Sequence, residues 1–203
     1  MMIPPGETAS AVLPTRHGLF RVHAFSPTIM PDEHLALVKG EVRGMENVAV
    51  RVHSECLTGD VFGSRRCDCR AQLESSLSII GQEGFGAVFY LRQEGRGIGL
   101  FNKIKAYRLQ EEGLDTVEAN LRLGFDNDHR RYTDAATLIR LMGIRSVRLI
   151  TNNLEKISGL RQEGIQVVSR LPLITEPDEH NAHYLKTKAD KLGHLLDPEL
   201  SRR

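Results

Sequence analysis

The chain has 203 residues, a formal net charge of +1 and 40% hydrophobic residues, the make-up of one compact domain, or two small ones, with a real core. The near-balance of charge excludes the broad basic footprint of a nucleic-acid binder, leaving only local arginine pairs such as Arg65-Arg66 and Arg130-Arg131 for a small anion. No stretch approaches the length of a membrane span, so the partner expected is neither nucleic acid nor membrane.

The N-terminus, Met1 to Gly6, lacks the basic start and apolar run of a signal peptide. A reducing cytoplasm is the expected setting, where clustered thiols stay available to metal. Residues 1–10 read as a flexible arm. Strands are expected over Leu35–Val42 and Val48–Val52. The second closes on Arg51-Val52-His53-Ser54-Glu55-Cys56, polar residues at a strand end, where α/β sheets place their sites. A partly solvated strand end is the alternative.

Cys56, Cys67 and Cys69 are the only cysteines, and the last two lie among Arg65, Arg66, Asp68 and Arg70. A small buried hydrophobe would explain Cys56 but not two thiols in that polar run. A disulfide meets an odd count and a strained Cys-x-Cys bridge. Metal binding fits better, and the arginines favour the thiolates it needs. Three protein ligands point to a zinc site open for catalysis; a closed structural site with His53 as fourth ligand stays open as an alternative.

A cadence then recurs: helix, glycine, short apolar strand. Helix Gln72–Glu83 is followed by Gly84 and strand Ala87–Leu91. A helix over Asn102–Glu112 ends at Gly113. Helix Thr133–Met142 is followed by Gly143 and strand Val147–Ile150; helix Leu154–Glu163 is followed by Gly164 and strand Ile165–Val168. Glycine just past a helix end fits a left-handed cap. The alternation predicts an α/β fold, a layered mixed sheet with flanking helices in a single compact domain over residues 11–197, with a tail at 198–203.

Three loops within this cadence carry polar signals. Leu91 to Gly99 follows a strand with alternating glycines around Glu94, Gly95 and Arg96, which suits an anion as well as a plain turn, and fits neither a Rossmann fingerprint nor a Walker A loop. Asp126 to Tyr132 reads on its own as a solvated loop. Thr151-Asn152-Asn153 leads into a helix with Lys156 in its first turn, where a cation opposes the helix dipole. A bound anion would supply the reason; an ordinary Asn cap is the alternative.

Taken together these segments resemble GTP cyclohydrolase II. The likeness is carried by Arg51 to Asp60, Arg66 to Cys69 with Gln72-Leu73-Glu74, Arg92 to Leu100, Asn102 to Tyr107, Asp115 to Asn120, Thr151-Asn152-Asn153 with Lys156, and Tyr184 to Lys188, running in fixed order from about residue 10 to 195. The resemblance implies hydrolytic opening of the GTP imidazole ring, releasing C8 as formate and the β,γ-phosphates as pyrophosphate, at the entry to riboflavin. It implies one zinc ion per subunit on Cys56, Cys67 and Cys69, which would lower the pKa of a bound water to near 7. It places Arg51, Val52, His53, Ser54, Glu55, Gln72, Glu94, Gly95, Arg96, Thr116, Thr151 and Lys156 around the nucleotide. Glu55 or Gln72 suits guanine's donor edge, and Arg96 and Lys156 suit phosphates. Asp128 matches the general base, and Tyr107 a position near the reacting ring. Arg130 matches a residue assigned a covalent role at the α-phosphate, although guanidinium is a poor nucleophile and an electrostatic clamp is the alternative. Magnesium on the triphosphate and a homodimer are further expectations. Arg70 and Leu154 depart from a common glycine and proline without touching a ligand or catalytic group. The chain is too short for a fused dihydroxybutanone phosphate synthase domain, so it is expected to act alone. A non-catalytic nucleotide-binding module, with a fourth ligand closing the metal site, and a cyclohydrolase that stops at the formamide stage are the rival readings.

Overall fold

A computed structural model describes residues 8–26, 29–30, 32–126, 130–173, 175 and 178–195. The strands are β1 (Thr8–Thr15), β2 (Gly18–Phe25), β3 (Leu35–Lys39), β4 (Val48–Ser54), β5 (Gly86–Leu91), β6 (Val147–Ile150) and β7 (Val167–Leu171). The helices are α1 (Cys69–Glu83), α2 (Gly99–Glu111), α3 (Thr116–Arg122), α4 (Thr133–Leu141), α5 (Leu154–Gln162) and α6 (Ala182–Leu192). The strands form one mixed sheet in the order β1-β2-β3-β5-β4-β6-β7. From β1 to β5 neighbours are antiparallel; β5, β4, β6 and β7 run parallel.

Strand chemistry explains this order. Val48 to His53 of β4 are all buried, as are most residues of β5 and β6. Such near-continuous apolar runs suit parallel strands covered on both faces. On one face Val48, Val50, Val52 and Phe89 pack with Ala135, Leu138 and Ile139 of α4 and Leu160 of α5. On the other, Ala49, Val88 and Ile150 pack with Leu77 and Ile80 of α1. Successive residues of β4 thus serve opposite cores, as a pleated strand requires.

The chain leaves β4 through α1 toward β5 and leaves β6 through α5 toward β7, in opposite directions. The crevice beyond the carboxyl ends of β4 and β6 lies at this switch point, where open α/β sheets bind ligands. Loops following β4, β5 and β6 converge there.

Several boundaries differ from expectation. β3 stops at Lys39, and β4 continues through Ser54. β7 starts at Val167 because the Ile165 N–H donates to Leu160 O, closing the end of α5. Thr8 to Ser10, read as arm, belong to β1, an edge strand exposed along most of its length. The expected tail at 198–203 and residues 1–7 of the arm lie outside the described residues. Among the described residues no helix is long and apolar enough to cross a membrane.

Candidate active site

The cleft at the switch point encloses about 1100 Å³, open solvent at its mouth included. One end is built from thiols. Just after β4 the chain makes a wide helical turn, Leu57–Val61, which brings Cys56 beside the start of α1. The sulfurs of Cys56, Cys67 and Cys69 all lie within 4.8 Å of one another, with Cys56 and Cys67 3.6 Å apart, and all three cysteines are free. Tetrahedral zinc with Zn–S of about 2.3 Å sets its sulfurs about 3.8 Å apart, so the cluster fits that ion. Gly59 is part of the fit: a Cβ there would lie 2.9 Å from Cys67 Sγ and 3.0 Å from Cys56 Sγ.

His53 does not join the thiols. Its Nε2 lies 3.0 and 3.1 Å from the two oxygens of Asp60, whose Oδ2 also accepts from Tyr90 Oη at 2.9 Å and the Cys56 N–H at 3.0 Å. This corrects the alternative in which His53 closes a four-ligand site: among the described residues the metal-suited group is the three cysteines alone. Burial lowers the His53 pKa, with Asp60 opposing.

Lys103 of α2 donates to Cys56 Sγ at 3.0 Å and to Glu94 Oε1 at 2.7 Å, while Glu94 Oε2 accepts the Leu57 N–H at 2.7 Å. Hydrogen bonds from Cys67 and Cys69 and then the charge of Lys103 hold the Cys56 thiol far below its ordinary range, against burial. The Cys67 thiol is pushed up to about 11, first by its bond to Cys56. Zinc binds thiolates, so metal binding displaces the protons that the free thiols hold. The Tyr107 hydroxyl lies 3.2 Å from Thr58 Oγ1, with Arg66 5.0 Å above its ring. Burial pushes its pKa up to about 12, so the phenol stays neutral.

The other walls are cationic. Arg51, buried midway along β4, donates to Ile150 O at 3.0 Å and Gln72 Oε1 at 2.5 Å. Burial lowers its pKa to about 10. Lys156, 5% exposed, reaches from the first turn of α5 to Val52 O at 2.8 Å. Thr151 Oγ1 accepts the Asn153 N–H, and Asn153 Oδ1 caps α5 through the Glu155 N–H. Gly95 and Arg96 both have φ of +61°, and a left-handed arginine is strain of the kind stored at functional sites. His194 lines the same space; burial, then Lys188, Arg96, Arg130 and Lys156, pull its pKa down to about 3.

Of the residues expected at the site, Arg51, His53, Ser54 and Glu55 line the cleft from the end of β4, and Gln72 from α1. Glu94, Gly95 and Arg96 line it from the loop after β5; Tyr107, Thr116, Arg130, Thr151 and Lys156 complete the wall with the three cysteines. Glu55 is tied to Arg92 at 3.0 Å. The Val52 side chain instead packs in the core. Asp128 lies outside the described residues. Lys103, Tyr184, Lys188 and His194 line the cleft although no role was expected of them. Tyr184 and Lys188 lie in a segment that carried the likeness, and Lys103 in another; His194 had no such signal.

The model of the family described as GTP cyclohydrolase II matches residues 7–172. The chain is 56% identical over 185 residues to the riboflavin biosynthesis protein RibBA of Bacillus subtilis (strain 168), covering 91% of this chain and 46% of that protein. It is 52% identical over 190 residues to RibBA of Endomicrobium trichonymphae, covering 94% and 47%. The chain spans about half the length of these curated relatives. The crystal structure of RibBX, a two domain 3,4-dihydroxy-2-butanone 4-phosphate synthase from A. baumannii, covers 80% of this chain and 40% of its own at 18% identity and a TM-score of 0.37, too distant a likeness to carry an argument.

Proposed function

The chain belongs to the GTP cyclohydrolase II family, and from that premise we propose that it opens the imidazole ring of GTP, releasing formate and pyrophosphate and leaving a diaminopyrimidinone ribosyl phosphate for riboflavin synthesis. One observation carries the reading: three clustered thiols occupy one end of a cleft whose other walls present Arg51, Arg96, Arg130 and Lys156. A metal that activates water and cations that hold a polyphosphate are the two needs of this reaction.

Cys56, Cys67 and Cys69 would hold a zinc ion, whose Lewis acidity would ready a water for attack at C8. Lys103, bonded to Cys56, offsets the negative charge of three thiolates. Glu55 and Gln72 face the base, while Arg96 and Lys156 take the phosphates. Asp128 serves as general base. Arg130 clamps the α-phosphate by charge, since a guanidinium rarely gives up the proton a nucleophile must lose. Tyr107, neutral and positioned by Thr58, donates a hydrogen bond to the departing formyl oxygen. Water adds across both C8–N bonds and across the bond between the α- and β-phosphates. Magnesium accompanies the triphosphate, and the working unit is a homodimer.

The test is turnover by purified protein with zinc, magnesium and GTP, following formate, pyrophosphate and the ultraviolet spectrum together, with and without a zinc chelator. Chelator-sensitive formate release with a diaminopyrimidine spectrum is expected. Formamide as the final product would remove the deformylation step, and GTP binding without any turnover would replace the enzyme with a binding module.

A further inference from the structure

Helix α6 lies beyond the family match, which ends at residue 172, yet its Lys188 reaches the wall of the cleft. Lys188 Nζ donates to Asp68 Oδ1 at 2.6 Å, and the two side chains are 6% and 2% exposed. Asp68 Oδ2 accepts from Gln72 Nε2 at 2.6 Å and from Thr175 Oγ1 at 3.2 Å. Gln72 Oε1 accepts from Arg51 Nη2 at 2.5 Å. Arg51 is in turn fixed by its bond to Ile150 O at 3.0 Å.

The polarity of this row follows from its ends. A guanidinium only donates, and an ion-paired carboxylate only accepts. The Gln72 amide must therefore turn its oxygen to Arg51 and its nitrogen to Asp68; the flipped amide would set donor against donor and acceptor against acceptor. Each amide group keeps one further bonding position, an oxygen lone pair and an N–H, for a ligand. Purines differ in this respect. Adenine reverses guanine's donor and acceptor order at positions 6 and 1, and xanthine reverses it at positions 2 and 3.

We propose that Lys188, acting through Asp68, fixes the polarity of the Gln72 amide in the cleft and so sets the choice of purine nucleotide. Lys188 is a positioning residue, and the C-terminal helix is part of the recognition apparatus. Lys191 of the same helix is bonded to Asp115, the cap of α3, so α6 is held at a second point, the start of α3.

The inference rests on the nucleotide reading of the cleft, and its test does not depend on turnover. A fluorescent guanosine triphosphate bound to zinc-loaded protein is displaced by GTP, ATP and xanthosine triphosphate, for wild type, Asp68→Asn, Lys188→Met and Lys188→Arg. Zinc content and thermal midpoint are recorded for each. Asp68→Asn and Lys188→Met are expected to lower the preference for GTP over ATP or xanthosine triphosphate by about 10-fold or more. Lys188→Arg, which still donates to Asp68, is expected to keep the wild-type ratio. Equal loss of affinity for all three nucleotides, or an unchanged ratio, in folded Asp68→Asn would overturn the proposal even if Lys188→Met fails to fold. Absence of formate from the wild type would instead remove the cyclohydrolase reading, so the two failures are distinct.

Discussion

Between Cys56 and Cys69 the chain supplies every sulfur of the cleft's thiol end, together with the glycine that makes room for them. The cationic end draws Arg51 from β4, Arg96 from the loop after β5, Arg130 from ahead of α4, and Lys156 and Lys188 from α5 and α6. The first is a local structure, shaped by one turn and one helix start. The second exists only because the sheet brings distant segments to one switch point. Where a site is local, its chemistry depends on a few side chains; where it is assembled, it depends on the packing of the whole domain. The two ends are therefore separable by mutation.

The largest expected effect is at the thiol end. Cys67→Ser should reduce formate release to background while GTP still binds, because the cations are untouched. Parallel loss of GTP affinity in a folded variant would break the separation. Lys156→Met should act in the opposite sense, weakening GTP binding by roughly 10- to 100-fold, as expected for a charged hydrogen-bonding group, with zinc content unchanged. Isothermal titration and metal analysis on the same sample check both halves. Lys103→Met probes the cation bonded to Cys56. With its bond to Cys56 gone, zinc affinity should fall by about 10- to 100-fold in chelator competition, and an unchanged affinity would reduce Lys103 to a partner of Glu94.

The smallest effect is on pH dependence. His194 is held near 3, below its ordinary 6.5, by burial first and then by Lys188, Arg96, Arg130 and Lys156. Above pH 6.5 its imidazole is neutral in the folded and unfolded chain alike. As pH falls from 6.5 toward 3 the unfolded chain takes up a proton that the folded chain refuses, so stability drops by up to about 1 kcal/mol per unit. His194→Gln should remove that part of the slope in denaturant melts between pH 7 and 5; identical slopes would contradict it.

The same contrast decides what could be read from the chain. Short spacing and rare residue type made the cysteines legible, and the apolar runs of β5 and β6 made those strands legible. Lys103 reads as one more polar residue on a helix until the fold sets it 3.0 Å from a sulfur. Lys188 lies in a segment that carried the likeness, but its role appears only once α6 is packed against Asp68, and His194 carries no local mark at all. His53 was near enough in sequence to pass for a ligand, but the turn after β4 offers it Asp60 instead. The β1–β2 hairpin escaped because an exposed edge strand needs no apolar alternation.

Metal dependence at the thiol end is the most direct test of the cleft's chemistry. Metal-stripped protein would be titrated with zinc while formate and pyrophosphate are measured at each addition. Formate release rising from background to a plateau at one zinc per chain, and absent from Cys67→Ser at every zinc level, is the predicted result. Full formate release before any zinc is added would contradict it.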